Sequence, residues 1–169
     1  MPVPIGRLRK SALTPRTRVA KSINEARAKK LRTAFLCHSH TDAEIAKGLA
    51  NLLQEEGWDV YVDWEDASMP AKPDRTTAAK IKTKIISVDF FLFLATANSV
   101  SSRWCPWEIG FADGKKDIDK IWVVQTQDER GSYGNEYLDL YRSVDYSDGG
   151  KLLLWEAGQN SGGKSLNST

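Results

Sequence analysis

One carboxylate lies among apolar and aromatic neighbours in the segment SSRWCPWEIG, residues 101–110. The segment predicts a helix over about residues 104–114, with a serine capping its first turn and Pro106 tolerated within that turn. Trp104 and Glu108 are four residues apart and therefore lie on one side of the helix. Because an unpartnered buried carboxylate is costly, Glu108 is either a structural acid paired with a loop or an arginine, or an active-site acid.

Polar and aromatic side chains also follow two predicted strands. His38 and Ser39 come directly after a short apolar run, and Asp63 and Trp64 come directly after a second one. These side chains are placed to contact a ligand. Helix capping and loop hydrogen bonds explain His38 and Ser39 equally well, and Trp64 is as readily a loop anchor.

The cysteines offer a second kind of chemistry. Cys37 or Cys105 with His38 or His40 would supply a nucleophile and a base, but no third residue orients such a pair. The two cysteines form no CxxC motif, so we interpret them as reduced thiols of a cytosolic protein. Two cysteines and two clustered histidines also lack the ligand spacing of a zinc site, and we predict no metal.

The C-terminal stretch GQNSGGKS at residues 158–165 fits the phosphate-binding loop pattern. A working loop of that kind opens a helix, and only four residues follow Ser165 in the sequence. No GxGxxG motif follows a predicted strand either. The sequence therefore predicts neither a P-loop nor a standard dinucleotide-binding site.

Short apolar runs alternate with helical periodicity through the middle of the chain, which predicts an α/β fold with a parallel sheet. We predict strands at 33–37, 58–62, 89–95 and 121–124, helices at about 15–30, 42–57, 76–87 and 104–114, polar loops at 63–75, 96–103 and 127–137, and a short strand and last helix within 138–158. Because parallel strands end at one edge, the loops that begin at residues 38, 63 and 96 should meet there.

Charge divides the chain unevenly. Residues 1–32 hold ten Lys/Arg and one acid, a net of +9, so with +2 overall the remainder carries −7. We predict a basic N-terminal arm at 1–31, a domain at 32–157 and a disordered tail at 158–169. The arm is interpreted as a solvated leader, so we expect neither a membrane nor a nucleic acid as partner, although a basic arm can touch either; an organelle transit role stays open. No secretory signal or membrane-length apolar run is present.

Four segments together resemble the TIR (Toll/interleukin-1 receptor) domain family, in its bacterial form that includes antiphage-defence proteins. The segment FLCHSHTD at 35–42 resembles the family's first strand, and LLQEEGWDVYVD at 52–63 resembles its second strand and the entry to its BB loop. DFFLFL at 89–94 and SRWCPWE at 102–108 resemble its third strand and the helix that follows. Cys37 stands where serine is common, and the BB loop lacks the arrangement of receptor-type members.

The resemblance implies a flavodoxin-like three-layer fold with a five-stranded parallel sheet. It also implies cleavage of NAD+ at the nicotinamide–ribose bond, with Glu108 as the essential acid and Trp104 as the aromatic residue one turn before it. His38, Ser39, Asp63 and Trp64 are expected to contact the substrate. NAD+ is then a substrate, and no cofactor is expected.

Three functional hypotheses remain open at this point. The first is an NAD+ hydrolase or cyclase in bacterial immune signalling, which self-associates through TIR–TIR contacts and whose product acts on a separate effector. The second is a non-catalytic TIR adaptor that acts through the same contacts. The third is an enzyme like the nucleoside deoxyribosyltransferases, which share the fold and a carboxylate.

Overall fold

The structure, a computed structural model, describes residues 1–16, 20, 22–66, 74–134, 136–159 and 161–166, with the backbone alone at 64, 136 and 137. The strands are β1 (Val3–Pro4), β2 (Arg32–Cys37), β3 (Trp58–Tyr61), β4 (Phe90–Leu94), β5 (Ile121–Val124), β6 (Thr126–Asp128), β7 (Gly131–Tyr133), β8 (Arg142–Tyr146), β9 (Leu152–Trp155) and β10 (Lys164–Ser165). The helices are α1 (Ile5–Ala12), α2 (Ile23–Ala28), α3 (Ala43–Glu55), α4 (Arg75–Ser87), α5 (Ala97–Ser101) and α6 (Cys105–Asp113).

The main sheet has seven strands in the order β10-β9-β8-β5-β4-β2-β3. Its five strands from β8 to β3 are parallel to their neighbours, while β9 and β10 are antiparallel additions at one edge. The prediction of a five-stranded parallel sheet is therefore wrong in extent, because a hairpin after β8 continues the sheet. The predicted last helix at 152–156 is the strand β9, whose alternating burial matches a sheet with one packed face.

Two predicted polar loops contain regular structure. Residues 126–133 form a hairpin, β6 and β7, and β1 pairs with β6 to make a second, three-stranded sheet. The loop predicted at 96–103 contains α5, which Thr96 begins by accepting a hydrogen bond from the backbone N–H of Ser99. Both segments are polar, so hydrophobic periodicity gave no sign of them.

A hydrophobic cluster lies on each face of the main sheet, which confirms the α/β interpretation. One cluster contains residues of α1 and α3, and the other contains residues of α4 and α6. Trp58, Phe90 and Trp122 pack together in the first cluster, with ring centroids 4.7–5.3 Å apart. Burying such side chains contributes about 1.5–3 kcal/mol each, which fixes β3, β4 and β5 relative to one another.

The N-terminal segment is packed against the domain, contrary to the expectation of a solvated arm. Val3 and Leu8 are fully buried within the first hydrophobic cluster. The amide of Asn51 on α3 donates to the carbonyls of Ser11 and Thr14, at 2.9 and 3.0 Å, where α1 ends. The predicted helix at 15–30 is also wrong in extent: α2 begins at Ile23 after a Ser22 cap, and residues 17–19 and 21 lie outside the described part.

The C-terminal residues that the structure describes also belong to the fold. β10 pairs with β9, Leu166 is buried in the first cluster, and the Arg32 guanidinium donates to the Leu166 carbonyl. The expectation of a disordered tail is therefore wrong for residues 161–166. Lys164 and Ser165 lie in a strand, so the P-loop pattern lacks the helix that would hold a phosphate.

Candidate active site

The carboxyl ends of β2, β3 and β4 bring together the polar residues predicted from sequence. His38 follows β2, Asp63 follows β3, and the His38 Nε2 lies 3.5 Å from the Asp63 Oδ1. The loop after β4 leads through α5 to α6, which carries Glu108 in its first turn. The prediction that these loops meet at one edge is thus confirmed for their described residues.

Glu108 is positioned by the start of α6. The Ser102 hydroxyl accepts from the backbone N–H groups of Trp104 and Cys105, at 3.1 and 3.4 Å, and Pro106 lies in the first turn as expected. This geometry turns Glu108 inward, and its side chain is only 7% exposed. Burial raises the pKa of Glu108 to about 8, and the negative charge of Asp63 adds to the rise.

Two buried thiols lie beside Glu108. The Cys37 thiol lies 3.9 Å from the Cys105 carbonyl and also interacts with the Glu108 carboxyl, which opposes the rise in that group's pKa. Burial raises the pKa of Cys37 well above its usual value, whereas hydrogen bonding from Cys37 lowers the pKa of Cys105. Both side chains are 1% exposed, so neither presents a sulfur to a substrate, and the Cys–His hypothesis gains no support.

His38 is held in one orientation. Its Nδ1 lies 3.0 Å from the Leu36 carbonyl, which only accepts, so Nδ1 carries a proton and Nε2 faces Asp63. Burial lowers the pKa of His38, with the Asp63 carboxylate opposing that shift. A cationic ligand near Asp63 would weaken this opposition, so the charge at this edge depends on what is bound.

A hydrogen-bonded network that the sequence did not predict joins the loops after β2 and β4. Asp42 accepts from the Thr96 hydroxyl at 2.5 Å and from the Asn98 amide at 2.7 Å. Asp42 stands at the N-cap position of α3, but its side chain makes no capping bond. Such a pairing leaves no sequence signal, because its partners are more than fifty residues apart.

The remaining predicted site residues are Trp104, Ser39 and Trp64. Trp104 is half-buried at the N-cap of α6, and its ring packs edge-on against Trp107 with centroids 5.5 Å apart. The Ser39 hydroxyl lies 3.0 Å from that of Thr41 and makes no helix-capping bond. The Trp64 side chain lies outside the described part, as do the BB-loop prolines, Pro70 and Pro73.

The described residues contain no cluster of three or more His, Cys, Asp or Glu side chains arranged to hold a metal ion. None of the helices described is both long and apolar enough to cross a membrane.

The elevated pKa of Glu108 predicts a pH-dependent contribution to stability. The unfolded chain releases this proton near pH 4.5, whereas the native state retains it until about pH 8. Wild-type protein should therefore lose stability relative to Glu108→Gln as pH rises through that window, by a few kilocalories per mole in total. Urea unfolding of both proteins between about pH 5 and about pH 9 measures the difference. If the free energies of unfolding of the two proteins change with pH in parallel, Glu108 ionises normally in the native state.

A sequence profile of the TIR domain family matches residues 34–154. The chain belongs to the TIR domain family. Within this family it is similar to a protein of Bacillus cereus (strain MSX-D12) named "Probable 3' cyclic ADP-D-ribose synthase ThsB'". The two are 38% identical over 118 residues, which cover 68% of this chain and 61% of the relative.

A second relative is named "Putative cyclic ADP-D-ribose synthase TIR2" and comes from Cytobacillus dafuensis. It is 25% identical over 110 residues, which cover 63% of this chain and 28% of that protein. The TIR domain thus spans less than two thirds of the length of either relative. The matched region contains β2 to β8 and includes Glu108, whereas α1 precedes it.

Proposed function

We propose that this TIR domain cleaves NAD+ at the nicotinamide–ribose bond and produces nicotinamide and ADP-ribose or a cyclic ADP-ribose. The observation that carries this proposal is the single buried carboxylate, Glu108, at the carboxyl edge of the parallel sheet. The names of both relatives refer to synthesis of cyclic ADP-ribose, which begins with the same bond. No cofactor is required, because NAD+ is the substrate.

The chemistry explains why one carboxylate suffices. The nicotinamide ring is cationic in NAD+ and takes the bonding electron pair as it leaves, so it departs neutral without a proton from the enzyme. A sugar leaving group, in contrast, requires a second carboxyl as general acid. Positive charge then develops on the ribose, and a carboxylate beside it stabilises that charge. Water captures the ribose carbon and loses a proton to give ADP-ribose, or an atom of the same molecule captures it to close a ring.

The environment of Glu108 suits a cationic substrate. Without ligand, burial and the charge of Asp63 favour the protonated acid at neutral pH. A cationic nicotinamide–ribose group in contact with Glu108 would stabilise the carboxylate and lower its pKa. Substrate binding would then generate the charge that the reaction requires. The half-buried ring of Trp104, one turn before Glu108, offers a face for cation–π contact with nicotinamide, of about 1–2 kcal/mol.

We also propose a role in bacterial immune signalling in the cytosol, in which the product activates a separate effector protein. The resemblance to defence-type TIR proteins supports this role, and the names of the two relatives refer to synthesis of a cyclic product that could serve as the signal. A cyclic product would suit a diffusible signal, because it is chemically distinct from the ADP-ribose of ordinary turnover.

The function is tested by incubating the purified chain with NAD+ and, separately, with purine 2′-deoxynucleosides. Chromatography then detects released nicotinamide or free base. Nicotinamide release alone supports the proposal, and base release from deoxynucleosides alone would indicate a deoxyribosyltransferase-like enzyme. Neither product at any protein concentration would favour the non-catalytic adaptor.

Specific activity should rise with protein concentration. We propose self-association because a single small domain leaves NAD+ at its strand ends accessible to water, which a neighbouring protomer would exclude. We expect the polar loop predicted at 63–75, with Trp64 near its start, to form this contact. Activity should be measured over a dilution series together with molecular mass, then repeated with Trp64→Ala. Constant specific activity from a monomer would instead indicate that the loop closes over its own site.

A further inference from the structure

A second cleft opens at the same sheet edge, on the side covered by α1. Its volume is about 540 Å³, within the usual range for a small-molecule site. The chain passes from β2 to β3 on one side and from β4 to β5 on the other, so the edge between β2 and β4 is the topological switch point of the sheet. Asp42 and Thr96 line the cleft from the loops after those two strands. Ligands of open α/β sheets bind at such a point.

The carboxylates that line this cleft are largely occupied by donors within the protein. Asp42 accepts from Thr96 and Asn98, as described above. Asp128 accepts from the backbone N–H of Arg130 at 2.8 Å and from the Tyr133 hydroxyl at 3.0 Å. Neither aspartate therefore offers its full charge to a ligand.

The groups left to meet a ligand are two guanidinium groups, one carboxylate and an apolar wall. Arg9 from α1 and Arg130 from the β6–β7 turn line the cleft, and among the described residues Arg9 has only an exposed contact of 3.6 Å with Glu44. Glu129 supplies the carboxylate. Ile5, Ile45 and Tyr133 supply apolar and aromatic surface. Guanidinium groups bind phosphate, carboxylates accept from ribose hydroxyls, and a base packs on apolar or aromatic side chains.

We propose that this cleft binds the adenosine-diphosphate part of NAD+ while the nicotinamide–ribose part lies against Glu108. This assignment rests on the proposed function, because it names where the rest of that substrate binds. The two sites adjoin along the chain: Asp42 follows His38 by four residues, and Asn98, which lines the cleft, lies in α5, directly before the helix α6 that carries Glu108. One wall of the cleft is α1, which precedes the part of the chain that matches the family.

A truncated substrate separates this cleft from the chemistry. Nicotinamide riboside has the scissile bond but lacks both phosphates and the adenosine, so it does not need the cleft. In the double variant Arg9→Gln, Arg130→Gln, the KM for NAD+ should rise about tenfold or more, while kcat changes less than about twofold. The kinetics with nicotinamide riboside should not change. Lys10→Gln is the matched control, because it removes a charge from the same helix in a groove between α1 and α3.

Direct titration with adenosine monophosphate decides the assignment independently of turnover. The nucleotide should bind the wild-type chain and the Lys10→Gln variant equally, and about tenfold more weakly to the double variant. If the wild-type chain does not cleave NAD+ but shows this binding pattern, the proposed function is overturned and the cleft remains a nucleotide-binding site. Absence of binding, equal binding to all three proteins, or equal kinetic effects on both substrates would overturn the cleft assignment.

Discussion

Replacing Glu108 with glutamine should abolish NAD+ cleavage and leave the protein folded. Glutamine keeps the size of the side chain and one carbonyl acceptor, but it cannot become an anion beside the ribose. If the carboxylate stabilises the transition state by about 3–4 kcal/mol, the rate should fall at least about a hundredfold. Nicotinamide release at saturating NAD+ measures this loss, and thermal unfolding of the same samples shows whether the fold is retained.

The matched control is Glu55→Gln, at the exposed end of α3. It removes one carboxylate from a helix in the same way but leaves the strand-end edge intact, so its activity should equal that of wild type. Equal activity of Glu108→Gln and wild type would remove Glu108 from the mechanism. Unfolding of Glu108→Gln alone would identify Glu108 as a structural acid, the alternative that the sequence left open.

The second large effect is expected where α1 crosses α3. A Cβ added to Gly48 would lie 1.8 Å from the backbone carbonyl oxygen of Leu8, so the two helices could not keep their separation. Gly48→Ala should therefore destabilise the protein by about 1–3 kcal/mol and lower its Tm by roughly 2–12 °C. Within a helix, glycine to alanine ordinarily stabilises by up to about 1 kcal/mol, so the sign of the change is diagnostic.

Gly110→Ala is the comparison that isolates the close approach. Gly110 also lies within a helix, and a Cβ there meets no heavy atom of the described residues outside its own helix within 4 Å. This variant should be neutral or stabilising in the same melting experiment. If both substitutions raise the Tm alike, α1 does not dock on α3 in solution, and the cleft beside it would lose one wall.

The central elements were predictable because their sequence patterns are local. The apolar run before His38, the helical spacing from Ile45 to Leu53 and the glycine at residue 57 specify β2, α3 and β3 with little help from the rest of the chain. Gly57 has φ +85°, which suits the turn between α3 and β3. The five parallel strands follow from this alternation.

The additions to the core sheet were not predictable by the same means. Basic residues are frequent in the N-terminal segment, yet Val3, Ile5 and Leu8 near its start are buried, and three spaced apolar residues are too few to reveal a packed helix. Leu152 and Leu154 likewise alternate as in a strand, but so short a run is ambiguous between helix and strand. A glycine within a helix, such as Gly48, can indicate that another helix crosses closely at that point. The sequence alone does not show that the crossing segment is the one that contains Leu8.

The candidate site shows the same division. Glu108 stood out as a candidate because a charged residue within an apolar helix start is unusual, and the structure buries it. Asp42, Thr96 and Asn98 are common residue types in polar loops, and their pairing depends on which strands are neighbours in the sheet. A sequence pattern shows an unusual residue within its own segment, but it does not show which distant segments are neighbours in the sheet.

Cleavage of NAD+ itself is followed by proton NMR of NAD+ mixed with a concentrated sample of the wild-type chain. The signals of NAD+ should decline while those of free nicotinamide grow in equal amount, together with signals of ADP-ribose or its cyclic form. NAD+ that stays intact in a sample shown to be folded and assembled would contradict the proposed function.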